Sequence, residues 1–232
     1  MTVLHLADEG EAADLAAFLS RLLHYDRSAA VRLQAAGTAL AVFGRPPSFE
    51  VLAVRAVRLA KPYENGLDVT LDVTVSAGEL LETVDEQAAT AAVPGVVTGP
   101  PWAGVLPPRG GWRPEPGLPA PDALRALVAA AVAEFRSRTA ELTPEERTRA
   151  ELDRIGRDIW SRTVGDTGLP VRAVHAAQSL GFLRASASAS ASGSGGDAPG
   201  LFSCGAWLRL RTPYGSVVLR RAGTGALGIS VR

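Results

Sequence analysis

The sequence predicts an α+β protein: an N-terminal helix on a four-stranded antiparallel meander, then a helical segment and a C-terminal β-hairpin. Three observations carry this. Residues 29–76 hold four short segments that alternate apolar and polar side chains with period two. Upstream of them, Leu15, Phe18, Leu19, Leu22 and Leu23 repeat at helical spacing. Beyond Ala206 the chain returns to period two, with Leu208 and Leu210 before a turn and Val217 and Leu219 after it.

The first helix is expected over Glu9–Leu23, with Asp8 as its cap and Glu11 at the third helical position. In the meander, a two-residue turn at 36–37 would pair Leu33 with Leu40 and Val31 with Val42. Residues 49–60 are apolar on both parities except Glu50, Arg55 and Arg58, which predicts a central strand covered on both sides. After a turn at Lys61–Gly66, Leu67, Val69, Leu71, Val73 and Val75 face one way, and Asp68, Thr70, Asp72 and Thr74 the other. Leaving the apolar face in water forfeits roughly 1.5–3 kcal/mol per large side chain, so the helix is its expected cover.

Ser76 and Glu79 form a second capping pattern, predicting a helix with Leu80, Leu81, Val84 and Ala88 on one side, ending before Pro94. Residues 94–121 contain 9 Pro and 6 Gly, which speaks against regular structure. Trp102 and Trp112 give this loop something to bury, so it should lie on the surface as a strap or as an ordered binding loop displaying Arg109. Three helices follow: one capped by Asp122, one opened by the box Thr143-Pro144-Glu145-Glu146, and one from Pro170 to a closing Gly181. The run at 185–196, ASASASASGSGG, has the composition of a mobile tether. The expected units are a sheet domain at 1–93, the loop at 94–121, a helical segment at 122–184, the tether at 185–199, and a hairpin at 200–232 docked on the body.

Composition narrows the function classes. With 232 residues and Cys204 alone, the chain can bury a core and cannot form a disulfide framework or a cysteine zinc site within itself. The N-terminus lacks the charge and apolar pattern of a secretory signal, and no apolar run is long enough to span a bilayer, so a cytoplasmic protein without a membrane partner is expected. The 23 Arg against one Lys read as the bias of a high-GC bacterial genome. Residues 1–93 carry 7 basic and 13 acidic side chains and residues 94–232 carry 17 and 11, so a net charge of zero conceals two opposed halves.

No motif identifies an activity, and neither catalytic residues nor a cofactor are assigned. Gly223, Gly225 and Gly228 match a dinucleotide-binding spacing, but only four residues remain for the helix that reading requires. Cys204-Gly-Ala-Trp207 resembles part of a cysteine-protease signature, yet no histidine follows it. His5, His24 and His175 lack metal-ligand spacing, so no metal site is expected. Asp68 and Asp72, about 13 Å apart by strand rise, read as a solvated face.

The remaining signal is basic and aromatic. No acidic residue follows Asp197, while Trp207, Arg209, Arg211 and Arg220 fall on one face of the hairpin if its turn has two residues. Pro213 disfavours such a turn; the choice rests on the need for one face to dock. With Trp102, Arg109 and Trp112 these are the candidate partner-binding residues. The expected function is non-catalytic protein binding or assembly. One alternative is a DNA-binding regulator, since three helices and a hairpin are similar in order to a winged-helix module, with residues 170–180 as the reading helix and Arg172, His175 and Ser179 on it. The other is an enzyme of unidentified class.

Overall fold

Asp8 separates the first strand from the first helix. The computed structural model describes residues 2–60, 71–184 and 198–221. Strand β1 (Val3–His5) ends before Asp8, whose carboxylate accepts from the Glu11 backbone N–H at 2.9 Å and opens α1 (Glu9–Tyr25). Ala12, Leu15, Phe18, Leu19 and Leu22 of α1 are buried, the stripe its spacing predicts.

Strands β2 (Ala30–Ala36) and β3 (Ala39–Gly44) are joined by Gly37-Thr38, with Leu33 opposite Val42 and Val31 opposite Gly44. The expected pairing of Leu33 with Leu40 is therefore displaced by two residues. Gly37 takes φ 59°, as the first position of a II′ hairpin turn requires, and this fixes the turn one position later. A two-residue shift keeps parity, so Val31, Leu33, Leu40 and Val42 are all still buried. Strand β4 (Leu52–Arg58) pairs with β3, whereas β5 (Asp72–Ser76) pairs with β2 on the far side. The predicted turn at 61–66 and the first half of the last meander segment lie outside the described residues. So do the tether at 185–196, the Gly223–Gly228 motif and residues 229–231, whose Ile-Ser-Val run reads as a last strand.

Ser76 caps α2 (Ala77–Glu82) by accepting from Glu79 N–H at 3.3 Å, but this helix is shorter than the apolar pattern suggests. Val84 enters β6 (Val84–Asp85), which with β7 (Thr90–Ala92) and β1 makes a small second sheet in the order β1-β7-β6. Strands of two or three residues are too short to announce themselves by alternation.

The Pro-rich segment crosses the molecule as a strap. It leaves β5 by a backbone bond from Val97 N–H to the Thr74 carbonyl at 2.9 Å, passes through a 3₁₀ turn at Pro101–Gly104, and ends in β8 (Arg113–Glu115). These short elements correct the expectation that Pro and Gly exclude regular structure there. β8 is an edge strand, where Pro114 is tolerated because its outer side has no partner to bond.

Helix α3 (Pro121–Ala140) begins with Pro121 after an Ala120 cap; Asp122 pairs instead with Arg125, which corrects its assignment as the cap. The Thr143–Glu146 box does form, with reciprocal bonds of 3.0 and 3.3 Å, yet it closes a single turn. Thr148 caps α4 (Arg149–Trp160) separately by accepting from Glu151 N–H. α5 (Val171–Ser179) ends in a full Schellman motif: Phe182 N–H donates to the Ala177 carbonyl and Gly181 N–H to that of Gln178, with Gly181 at φ 75°.

The C-terminal unit has three strands, β9 (Gly200–Cys204), β10 (Trp207–Thr212) and β11 (Gly215–Arg220), one more than expected. Thr212 opposes Gly215, so the turn does have two residues despite Pro213, and Leu208 and Leu210 face Leu219 and Val217. The Thr212 hydroxyl holds this turn, donating to the Gly215 carbonyl and accepting from Tyr214 N–H. β11 then pairs with β4, Val217 opposite Ala53, so one eight-stranded antiparallel sheet runs β5-β2-β3-β4-β11-β10-β9-β8 through both halves of the chain. α1 packs on its inner face at β4 and α5 at β11. Among the described residues no helix is long and apolar enough to cross a membrane.

Candidate partner-binding face

The outer face of the sheet carries the candidate residues. Alternation along β10 turns Leu208 and Leu210 inward, where both are buried, and turns Trp207, Arg209 and Arg211 outward. Register sets Arg220 opposite Trp207 and Ser216 opposite Arg211. The Arg220 guanidinium lies 5.4 Å from the Trp207 ring centroid, Arg211 lies 5.2 Å from that of Phe202 on β9, and Arg209 lies 5.8 Å from that of Trp112 on the strap. Each is within cation–π range.

Arg209 is half-buried, and its Nε donates to the Ser216 hydroxyl at 3.0 Å. Burial, and secondarily the charge of Arg211, lower its pKa from the ordinary guanidinium value, but a guanidinium stays charged at neutral pH. Among the described residues none of Arg209, Arg211 or Arg220 forms an ion pair. Docking on the chain's own acidic half, which opposed charges suggest, uses other arginines. From the C-terminal half Arg184 reaches Asp14 and Arg172 reaches Glu50 at 3.4 Å, while within the N-terminal half Arg55 of β4 pairs with Glu11 at 3.0 Å and Asp14 at 3.1 Å, and Arg58 with Glu11 at 2.8 Å. At the sheet edge Arg221 bonds Glu115 at 2.8 Å; the Ser203 hydrogen bond, then Arg221, lower the Glu115 pKa.

The strap fixes Trp112 in place. Its indole N–H donates to the Pro108 carbonyl at 3.0 Å, and the Gly110 carbonyl lies 3.6 Å from Cys204 Sγ. Nearer β5, Arg32 holds the strap: its Nε and Nη2 donate to Asp72 at 2.7 and 3.0 Å while Nη1 donates to the Ala103 carbonyl. Asp72 is thus an anchor for this clamp and not merely part of a wetted face. The Arg32 hydrogen bond, with smaller help from Gln34 and from the charges of Arg32 and Arg109, lowers its pKa from the ordinary carboxylate value. Sequence alone missed this pair because its members lie forty residues apart on strands whose adjacency the pattern does not specify. It also missed Phe202, although the alternation Leu201-Phe202-Ser203 places that ring on the outward parity.

The structure therefore brings Trp112, Trp207, Arg209, Arg211 and Arg220 together. It places Trp102 elsewhere, in a cleft of about 790 Å³ with Arg45, Pro46, Pro47 and Pro100. Arg109 is exposed on the strap between the two. The three histidines do not converge, and among the described residues no group of His, Cys, Asp and Glu could hold a metal ion. Arg172 and His175 of α5 point at the N-terminal half: Arg172 reaches Glu50 at 3.4 Å, and His175 stacks on Trp160 at 4.7 Å and meets Phe49 edge-on at 5.2 Å.

Two family models match the chain. Residues 107–224 match the one described as Domain of unknown function (DUF8185), and residues 1–104 the one described as Domain of unknown function (DUF8010). The two matches meet within the strap. No curated protein matches the chain.

Proposed function

This chain belongs to the DUF8185 family, and we propose that it is a non-catalytic cytoplasmic binding protein whose outer sheet face takes an acidic protein segment. The observation that carries the reading is the set Arg209, Arg211 and Arg220, each against an aromatic ring and none matched by a carboxylate among the described residues. Aromatic support restricts where each guanidinium can point, so less freedom is lost when a carboxylate arrives. Arg209 and Arg211 stand about 6.8 Å apart by strand rise, the repeat at which an extended segment presents alternate side chains. Pro114 blunts the adjacent β8 edge, which favours approach to the face over strand addition.

A protein segment is preferred over nucleic acid because the chain is neutral overall and its N-terminal 93 residues are net acidic. A DNA-reading helix needs an open side, yet α5 exposes only Gln178. Titrating a fluorescent Asp/Glu-rich peptide against the wild type and an Arg209→Ala/Arg211→Ala/Arg220→Ala variant tests the reading. Saturable, salt-sensitive binding confined to the wild type supports it.

A further inference from the structure

A second cleft, of about 710 Å³, lies between α4 and the loop that joins β3 to β4, and both family matches contribute to it. Its size is that of a small-ligand site. The four-residue repeat of α4 builds one side as two rows: Leu152, Gly156 and Trp160 form an apolar floor completed by Phe135, and Arg149, Asp153 and Arg157 form a charged rim.

Three features of this cleft are costly to the fold without a ligand to explain them. Gly156 sits in mid-helix, where glycine is a poor choice, and the missing Cβ would stand at an ordinary 3.5 Å from the Trp160 ring, so packing does not require the vacancy. Ser48 and Glu50 at the cleft mouth adopt φ of 73° and 53°, a left-handed conformation in non-glycine residues. The Nε–H of Arg172 is buried with no well-aligned acceptor; the Glu50 carboxylate, at 3.4 Å, is longer than a normal charge-assisted bond.

We propose that this cleft binds a small organic anion bearing a planar ring. The ring lies over Gly156 against Trp160 and Phe135, and the anionic group takes the Nε–H of Arg172 with Arg157 beside it. Arg157 has no ion pair among the described residues, Arg149 is engaged by Asp153 at 3.2 Å, and Arg172 has only the long 3.4 Å contact with Glu50, which the ligand's anionic group displaces, so Arg157 and Arg172 are the cations that recognise it. The site is independent of the outer arginine face, and either can fail without the other.

The probe is 2-naphthoate, titrated into the full chain while the indole N–H resonance of Trp160 is followed by NMR, with acetate and 2-naphthalenemethanol as controls that lack the ring or the charge. The expected result is a saturable one-to-one shift with naphthoate alone, weakened at least tenfold in Arg172→Gln and in Gly156→Leu and unchanged in the Arg209/Arg211/Arg220 triple variant. The proposal is overturned if the Trp160 resonance does not titrate, if either control binds as well, or if both cleft variants bind like the wild type. Should a variant fail to fold, the wild-type titration with its two controls decides alone.

Discussion

The Arg55 guanidinium donates to the backbone carbonyl of Tyr214 at 2.7 Å, tying the central strand of the N-terminal half to the turn of the C-terminal ribbon. That bond comes from Nη1, and the Nη2 bonds go to Glu11 and Asp14 of α1, so one side chain joins helix, sheet and turn. At 5% exposure it is a buried charge, and its worth lies in these partners.

Replacing Arg55 with Met should therefore set an apolar group beside Glu11 and Asp14, leaving them Arg58 and Arg184 as partners, and free the Tyr214 carbonyl. Breaking a buried pair costs about 3–5 kcal/mol, and the lower end is expected because Arg58 still faces Glu11 and Arg184 still faces Asp14. Urea unfolding measures this. Because β4 pairs with β11, the wild type should also unfold in one transition; two transitions, or a loss below about 1 kcal/mol in the variant, would count against a single coupled sheet.

Gly215 is favoured for a reason of packing. A Cβ there would stand 2.5 Å from the Phe182 ring, which itself stacks on Phe18 at 5.7 Å, and the φ of 157° adds strain for any other residue. Gly215→Ala should cost about 1–3 kcal/mol as an overpacked site. Adding Phe182→Leu should cost less in that background than in the wild type, a coupling that a double-mutant cycle reads directly.

His175 gives the stability a pH dependence of known sign. Burial between Phe49 and Trp160 lowers its folded-state pKa below the ordinary 6.5, so the unfolded chain binds the proton more readily. Stability from this group is complete above the unfolded pKa and is lost as pH falls through that value toward the folded one. Urea midpoints between about pH 5 and pH 7 should decline on acidification, and His175→Phe should flatten the decline. An unchanged slope in the variant would refute the assignment.

What was legible in the sequence follows from length scale. The α1 stripe, the Asp8 cap and the inward parity of Val31, Leu33, Leu40 and Val42 are local patterns, and each is found in the structure. The alternation of Leu208, Arg209, Leu210 and Arg211 likewise anticipated the outward arginines. Pairings between distant segments were not legible: no local signal says that β5 joins β2, that β11 joins β4, or that Trp112 crosses the sheet to reach Arg209. Capping motifs predicted the wrong extent where a second cap intervened, as at Thr148 after the Thr143 box.

Arg209, Arg211 and Arg220 are proposed to recognise carboxylates on a protein partner. Fluorescence anisotropy with an extended Asp/Glu-alternating peptide, in parallel with labelled duplex and single-stranded DNA, tests this most directly at about 50 and 200 mM salt. The peptide should bind saturably, more weakly at the higher salt, and at least tenfold more weakly to the triple Arg→Ala variant, whose unfolding midpoint should stay near that of the wild type because these side chains form no ion pair among the described residues. Tighter, salt-sensitive binding of either DNA, lost in the same variant, would assign the face to nucleic acid instead of a protein partner.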